Sequence, residues 1–190
     1  MPRSSPRPEG ELRRPLRSED GKAQGSPRPE AELRRPLRSE DFEPHHCFAC
    51  GELNEQGLHL EIHTDPDGSW IETTLAPAFQ GWDAVAHGGI VCTILDEVMA
   101  WSLIGRGTWG VTARLNVAFR KPIPTGLAIR AEGHVLETHR RANRTEGIVL
   151  DAATGEVLAT AEGTFIALPA AQREALMARY GMRRAPAGAE

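Results

Sequence analysis

Long apolar runs are missing from this chain of 190 residues. No stretch is long and apolar enough to span a bilayer, and the Pro/Arg/Ser-rich start has no hydrophobic signal region. The three cysteines, an odd number, do not make a disulfide framework and fit a reducing compartment. We therefore expect a cytoplasmic protein. Excess positive charge is also lacking: the formal net charge is −4. Residues 1–41 hold ten Lys/Arg against eight Asp/Glu, which leaves twelve against eighteen for residues 42–190. An acidic domain of this kind has no basic face for nucleic acid, so that partner is excluded, as is a membrane. No nucleophile elbow or Ser/His/Asp constellation occurs either.

What is present begins with a repeat. Ser5–Asp20 reads SPRPEGELRRPLRSED and Ser26–Asp41 reads SPRPEAELRRPLRSED, a tandem copy in which Gly10 becomes Ala31. Two copies with so little apolar surface cannot build a solenoid, and the composition is that of a solvated, disordered tail. The expected organisation is a tail over 1–41, one domain over 42–170, and a short helix and tail over 171–190.

Within the domain, Leu58–His63 alternates with period two, Asp65-Pro66-Asp67-Gly68 is a turn, and Trp70–Leu75 resumes an extended run, which predicts a hairpin. A helix is predicted over about 89–104, ended by Gly105 and Gly107. Next comes a strand with Val111, Ala113, Leu115, Val117 and Phe119 on one face and Thr112, Arg114 and Asn116 on the other. Three more strands, about 126–138, 144–152 and 156–168, complete a predicted four-strand meander. One long helix cannot cover two sheets, so the pattern implies an α+β class in which a curved antiparallel β-sheet wraps around one long central helix.

The most informative run is His87-Gly88-Gly89 followed by Ile90–Glu97. Gly88 and Gly89 leave room for a ligand to approach unpaired N–H donors at a helix start, where the dipole favours negative charge. Asp96 sits two turns inside the helix among Ile94, Leu95 and Val98, where burying an acid is costly and points to function. At 100° per residue Gly89, Thr93, Asp96 and Ala100 form one narrow strip of small and polar residues opposite a broad apolar side. Gly88 and Asp96 are about 12 Å apart along the axis. They cannot act on one carbon from a single chain, whereas an antiparallel copy of the helix across a two-fold axis would pair them. We infer a C₂ homodimer, alone or as a dimer of dimers.

These residues resemble the hotdog-fold acyl-CoA thioesterase superfamily, in its phenylacetate-degradation-type and 4-hydroxybenzoyl-CoA-thioesterase-like branches. The likeness runs from about 45 to 168 and includes Cys47-Phe48-Ala49-Cys50-Gly51, Phe79-Gln80-Gly81-Trp82, His87-Gly88-Gly89 with Asp96, Thr112–Val117, Phe119–Pro124 and Ala161–Phe165. It implies a hotdog fold and hydrolysis of acyl-CoA to a free acid and coenzyme A, with no further cofactor. Under it the Gly88 N–H donates to the thioester carbonyl and Asp96 is general base or nucleophile. Thr112, sixteen residues on, holds the water or the acid, and His87 orients the loop or helps polarise the carbonyl. Some relatives carry Asn or Gln six positions before the histidine; Gly81 stands there, and Gln80 is the substitute. Substrate contacts are expected from Gly89, Gln80 and Trp82, with Arg120, Lys121, Arg140 and Arg141 receiving the phosphates. Other readings are a hotdog-fold dehydratase or hydratase of 3-hydroxyacyl thioesters and a non-catalytic acyl-CoA sensor.

Two features read as structural. Glu97 points about 100° from Asp96, toward Thr93 and Trp101. His45-His46-Cys47-Phe48-Ala49-Cys50 holds four metal-ligand types, but no second Cys pair follows downstream, so a reduced, packed turn is expected there and no metal site.

Overall fold

The computed structural model describes residues 36–181. The expectation of a disordered tail over residues 1–35, and that for 182–190, falls outside the described residues. Residues 36–41 correct the tail boundary, because they belong to the fold: β1 (Leu37–Arg38) pairs with β2 (His63–Asp65), and both Asp41 and Phe42 are buried. Ser39 ties this segment down through its N–H to the Ile62 carbonyl, 2.9 Å, and through its hydroxyl, which accepts from the Ile62 N–H at 3.1 Å.

Seven strands form one antiparallel sheet. Beyond β1 and β2 these are β3 (Gly68–Thr74), β6 (Gly110–Phe119), β7 (Ala128–Thr138), β8 (Ala142–Asp151) and β9 (Val157–Ala167), in the order β1-β2-β3-β7-β8-β9-β6. Two short strands, β4 (Gln80–Trp82) and β5 (Val85–Ala86), pair with each other and lead into helix α1 (Gly88–Ile104). A second helix, α2 (Ala170–Arg179), follows β9. The hotdog architecture is thus present, a sheet against one long helix.

The predicted four-strand meander is corrected to three. β7, β8 and β9 run on as hairpins, but β6 lies at the far edge against β9, and β3 takes the place beside β7. The residues between β6 and β7 cross three strand spacings, about 14 Å, which eight residues span with ease. Alternation says which face a residue takes and nothing about which neighbour its strand chooses. The first hairpin is also shorter than predicted, since Leu58–Ile62 is not strand although Leu60 and Ile62 are buried.

Helix α1 sits close to the sheet because the strands beneath it carry little bulk. A Cβ on Gly133 in β7 would stand 2.3 Å from the Val98 carbonyl oxygen of α1. Gly147 of β8 lies opposite Gly133 in register and packs on Leu95 and Met99. Hydroxyls from β2 and β3 complete the seat: Thr64 Oγ1 donates to the Trp101 carbonyl at 2.9 Å, and Ser69 Oγ donates to that of Val98. Val91, Ile94, Leu95, Val98, Met99 and Leu103 are buried there. Gly107, at φ +72°, takes the left-handed turn that ends this segment, in accord with the predicted stop.

Two stability results are expected. Gly133→Ala pushes a methyl into the helix backbone and should cost about 3 kcal/mol or more, a thermal shift of roughly 6 °C or greater by calorimetry. Deleting residues 1–41 removes β1 and the Ser39 bonds and should lower Tm by roughly 4–8 °C relative to deletion of residues 1–35, for a loss of about 2 kcal/mol.

Candidate active site

His87 stands immediately before α1 in an extended conformation, φ −64° and ψ 133°. Its Nδ1 accepts from the Gly89 N–H at 2.9 Å, so the ring caps the helix and carries its neutral-form proton on Nε2. Its carbonyl takes the Ile90 and Val91 N–H groups at 2.9 and 3.3 Å. The Gly88 N–H is left with no hydrogen-bond partner among the described residues. Of the first-turn donors it alone keeps the character of a free anion-binding group. Gly89, expected to contact substrate, has its N–H committed to His87 instead.

The β4–β5 hairpin fixes this entry. Phe79 accepts from the His87 N–H at 2.9 Å, Ile123 accepts from Ala86 at 2.8 Å, and Gln80 Oε1 accepts from Ala84 at 3.1 Å. Ala84 has φ +60°, so the Gln80 amide holds a bent loop closed. Gly81 packs against the histidine, and a Cβ there would lie 3.2 Å from both Cα and Cδ2 of His87. A side chain at position 81 would require His87 to give way by a few tenths of an ångström.

Two turns along α1, Asp96 Oδ1 accepts from Thr112 Oγ1 at 2.7 Å. Partial burial raises the Asp96 pKa, and the Thr112 hydrogen bond acts the other way. Simple alternation put Thr112 on the polar face of its strand, and that is corrected. Ala113 is a bulge: Thr112 pairs with Phe165 and Arg114 with Thr164, leaving Ala113 without a partner. The extra residue reverses the inside–outside parity, so Thr112 shares a face with buried Phe165 and turns to the helix while Leu115 and Val117 stay inside.

Gly88 and Asp96 lie eight residues apart on the same helix, about 12 Å. Beside the helix start Trp82 is 84% exposed and Phe119 55%, and among the described residues β6 is a sheet edge. Phe119 also covers Gly88, its Cζ 3.4 Å from where a Cβ would be.

The four expected phosphate contacts are not brought together. Arg120 and Lys121 follow the end of β6 that pairs with Ala159, near Gly88. Arg140 and Arg141 form the β7–β8 turn, at the end of the sheet where β6 begins. Lys121 is further engaged in an ion pair with Glu156.

Other polar groups escaped the sequence reading. Asn143 and Thr145 of β8 are buried on the sheet face turned to α1, and their side-chain polar atoms have no hydrogen-bond partner among the described residues. Asn143 is in register with Phe165, the residue opposite Thr112. On the other flank of α1, Glu97 accepts from Trp101 Nε1 at 3.1 Å, which agrees with its predicted direction, and meets Cys47 Sγ at 3.9 Å. Burial pushes the Glu97 pKa up to about 7. The neighbouring Cys50 thiol, by hydrogen bonding, holds the Cys47 pKa below the usual thiol range. No spacing rule joins a Cys-x-x-Cys turn to a helical glutamate so far along the chain.

Residues 84–158 match the family model of the thioesterase superfamily. Human acyl-coenzyme A thioesterase 13 is 29% identical over 80 residues, 41% of this chain and 57% of that protein, and the Pongo abelii protein of the same name matches equally. The chain thus spans less than two thirds of the length of these curated relatives. A solved thioesterase superfamily protein superposes with a TM-score of 0.60 at 24% identity, covering 64% of this chain and 60% of its own. Zebra fish thioesterase superfamily member 2 gives 0.55 at 19%, covering 60% and 88%, and a Streptococcus mutans protein bound to acetyl CoA gives 0.53 at 18%, covering 55% and 84%. These likenesses establish the hotdog fold.

If His87 acts as a cap, His87→Ala should cost about 1 kcal/mol, a Tm loss of roughly 2–4 °C, and His87→Asn should restore most of it.

Proposed function

We propose that this protein is an acyl-CoA thioesterase, hydrolysing an acyl-CoA thioester to the free acid and coenzyme A in a homodimer whose sites each draw on both protomers. The observation that carries this reading is the Thr112–Asp96 hydrogen bond on the open flank of α1, with an unpaired Gly88 N–H at the head of the same helix. Two such helices set antiparallel would bring each Asp96 to the Gly88 of the partner subunit. The exposed Trp82 and Phe119 and the β6 edge, which has no partner strand among the described residues, supply the kind of surface a partner covers. The match of residues 84–158 to the thioesterase superfamily and the names of the relatives support the same substrate class.

Hydrolysis in this arrangement divides between the two groups. The Gly88 N–H, fixed at a helix start, stabilises the charge that develops on the carbonyl oxygen as the thioester is attacked. Thr112 occupies Oδ1 of Asp96 and leaves Oδ2 to take a proton from water or to attack the acyl carbon itself. Partial burial makes this carboxylate a stronger base than one in solvent. The C–S bond then breaks, and the leaving thiolate is protonated on release; on the nucleophilic route the acyl group is left as an anhydride on Oδ2, which water cleaves to the free acid and the regenerated carboxylate. No cofactor beyond the coenzyme A of the substrate enters this scheme. Among the described residues no helix is long and apolar enough to cross a membrane, and the three cysteines are unpaired, which supports a reducing, cytoplasmic setting.

A thiol-release assay over short, long and aromatic acyl-CoAs tests the activity. Asp96→Asn should lower kcat about 100-fold or more with KM little changed. Gly88→Pro removes the proposed donor at the first helical position, where proline is tolerated, and should lower kcat about as much. The shared site is tested by refolding the two variants together: mixed dimers carry one intact site, so roughly a quarter of wild-type turnover should return. No thiol release from any acyl-CoA, or no recovery on mixing, would respectively refute the hydrolase and the composite site.

A further inference from the structure

The turn at Cys47–Gly51 and the carboxylate of Glu97 take no part in the hydrolysis proposed above. Yet Cys47 Sγ, Cys50 Sγ and a Glu97 oxygen all lie within 4.8 Å of one another. Two donors on one tetrahedral zinc are separated by roughly 3.5–3.8 Å, given bond lengths of about 2.0–2.3 Å, and the Cys47 Sγ to Glu97 Oε1 distance is already 3.9 Å. The backbone is folded tightly around the first sulfur. Gly51 donates its N–H to the Cys47 carbonyl at 3.0 Å, and a Cβ on Gly51 would lie 2.4 Å from Cys47 N and from the His45 carbonyl oxygen. Only glycine permits so close a return. Glu97, for its part, forms no ion pair with Lys, Arg or His among the described residues. It is an acid held against two thiols and an indole N–H with no cation to offset its desolvation.

We propose that Cys47, Cys50 and Glu97 are three ligands of a site for a thiophilic divalent cation, zinc in chemistry, whose fourth position faces a cavity of about 590 Å³. That cavity is walled by Phe42, His45, Trp101, Trp109 and Tyr180, along with the two cysteines. Two thiolates with one carboxylate select a borderline-soft ion over magnesium or calcium. Three anionic ligands bring a charge of about −3, which the ion reduces to about −1. The ion would staple the segment before β2 to the middle of α1, on the flank opposite Asp96, so its role is structural and no step of hydrolysis passes through it. The sequence pattern argued against a metal because no second cysteine pair follows. The missing donor is a carboxylate brought in by the fold.

The test uses tag-free, full-length protein kept reduced with a phosphine, with bound metal measured by elemental analysis after dialysis against buffered zinc, and with cobalt(II) as the spectroscopic probe. Expected results are one zinc per chain and a thiolate-to-cobalt charge-transfer absorption with the intensity of two thiolates. Tm should rise with zinc and fall on chelation. Cys47→Ser and Cys50→Ser should each weaken that absorption, and Glu97→Gln should retain it while lowering zinc affinity about tenfold or more. If the serine variants fail to fold, the wild-type cobalt spectrum and the Glu97→Gln affinity decide the matter. Absence of stoichiometric uptake, cobalt binding without thiolate absorption, or unchanged affinity in Glu97→Gln overturns the proposal. So does a Cys47–Cys50 disulfide in the untreated protein, seen by mass, together with failure of the reduced form to take up zinc. None of these readouts depends on thioester hydrolysis.

Discussion

The close seating of α1 on the sheet is the constraint from which the rest of this molecule follows. Where Gly133 meets the Val98 carbonyl there is no room for a methyl group, and Gly147 and Met99 continue that contact onto the next strand. A helix pressed this near has only its two flanks free. One flank carries Asp96 toward β6, and the other carries Glu97 toward the Cys47–Cys50 turn. Adjacent acids are thereby sent into different surroundings by the 100° step of the helix alone.

The flank with Asp96 lies along the β6 edge of the sheet. Its carboxylate is held by a threonine from an edge strand, and its helix begins about 12 Å away with an N–H uncommitted among the described residues, covered in part by exposed Phe119. The His87 cap, the Gln80–Ala84 bond and the Ala113 bulge each fix one element of the arrangement. In the hydrolysis proposed above, fixed dipoles so placed would act on developing charge without reorganising.

The opposite flank joins distant parts of the chain. Residues 36–62 contribute little regular structure, yet Phe42, Leu60 and Ile62 are buried, and Phe42 packs edge-on against Trp101 with ring centroids 5.1 Å apart. Irregular backbone bonds, such as Leu58 N–H to the Phe48 carbonyl at 2.8 Å and Leu60 N–H to that of Ala49 at 2.9 Å, hold its path together with these side-chain contacts. The sulfur–carboxylate cluster falls at the middle of that path, where a bound ion would add most to its stability.

Local chemistry made much of this legible in the sequence. Apolar period and the two glycines marked the long helix to within one residue of its start, alternation marked the strands of the sheet, and an acid among Ile94, Leu95 and Val98 singled out Asp96. Those are properties of the chain over a few residues, where helix period and turn chemistry act. Tertiary structure decided the remainder. It chose β9 over β7 as the neighbour of β6, turned Thr112 inward through one unpaired residue, drew Leu37–Asp41 into the sheet edge, and set Glu97 beside two cysteines nearly fifty positions earlier. Strand partners and long-range side-chain meetings are set by how the whole sheet closes against one helix, and no window of sequence contains that packing.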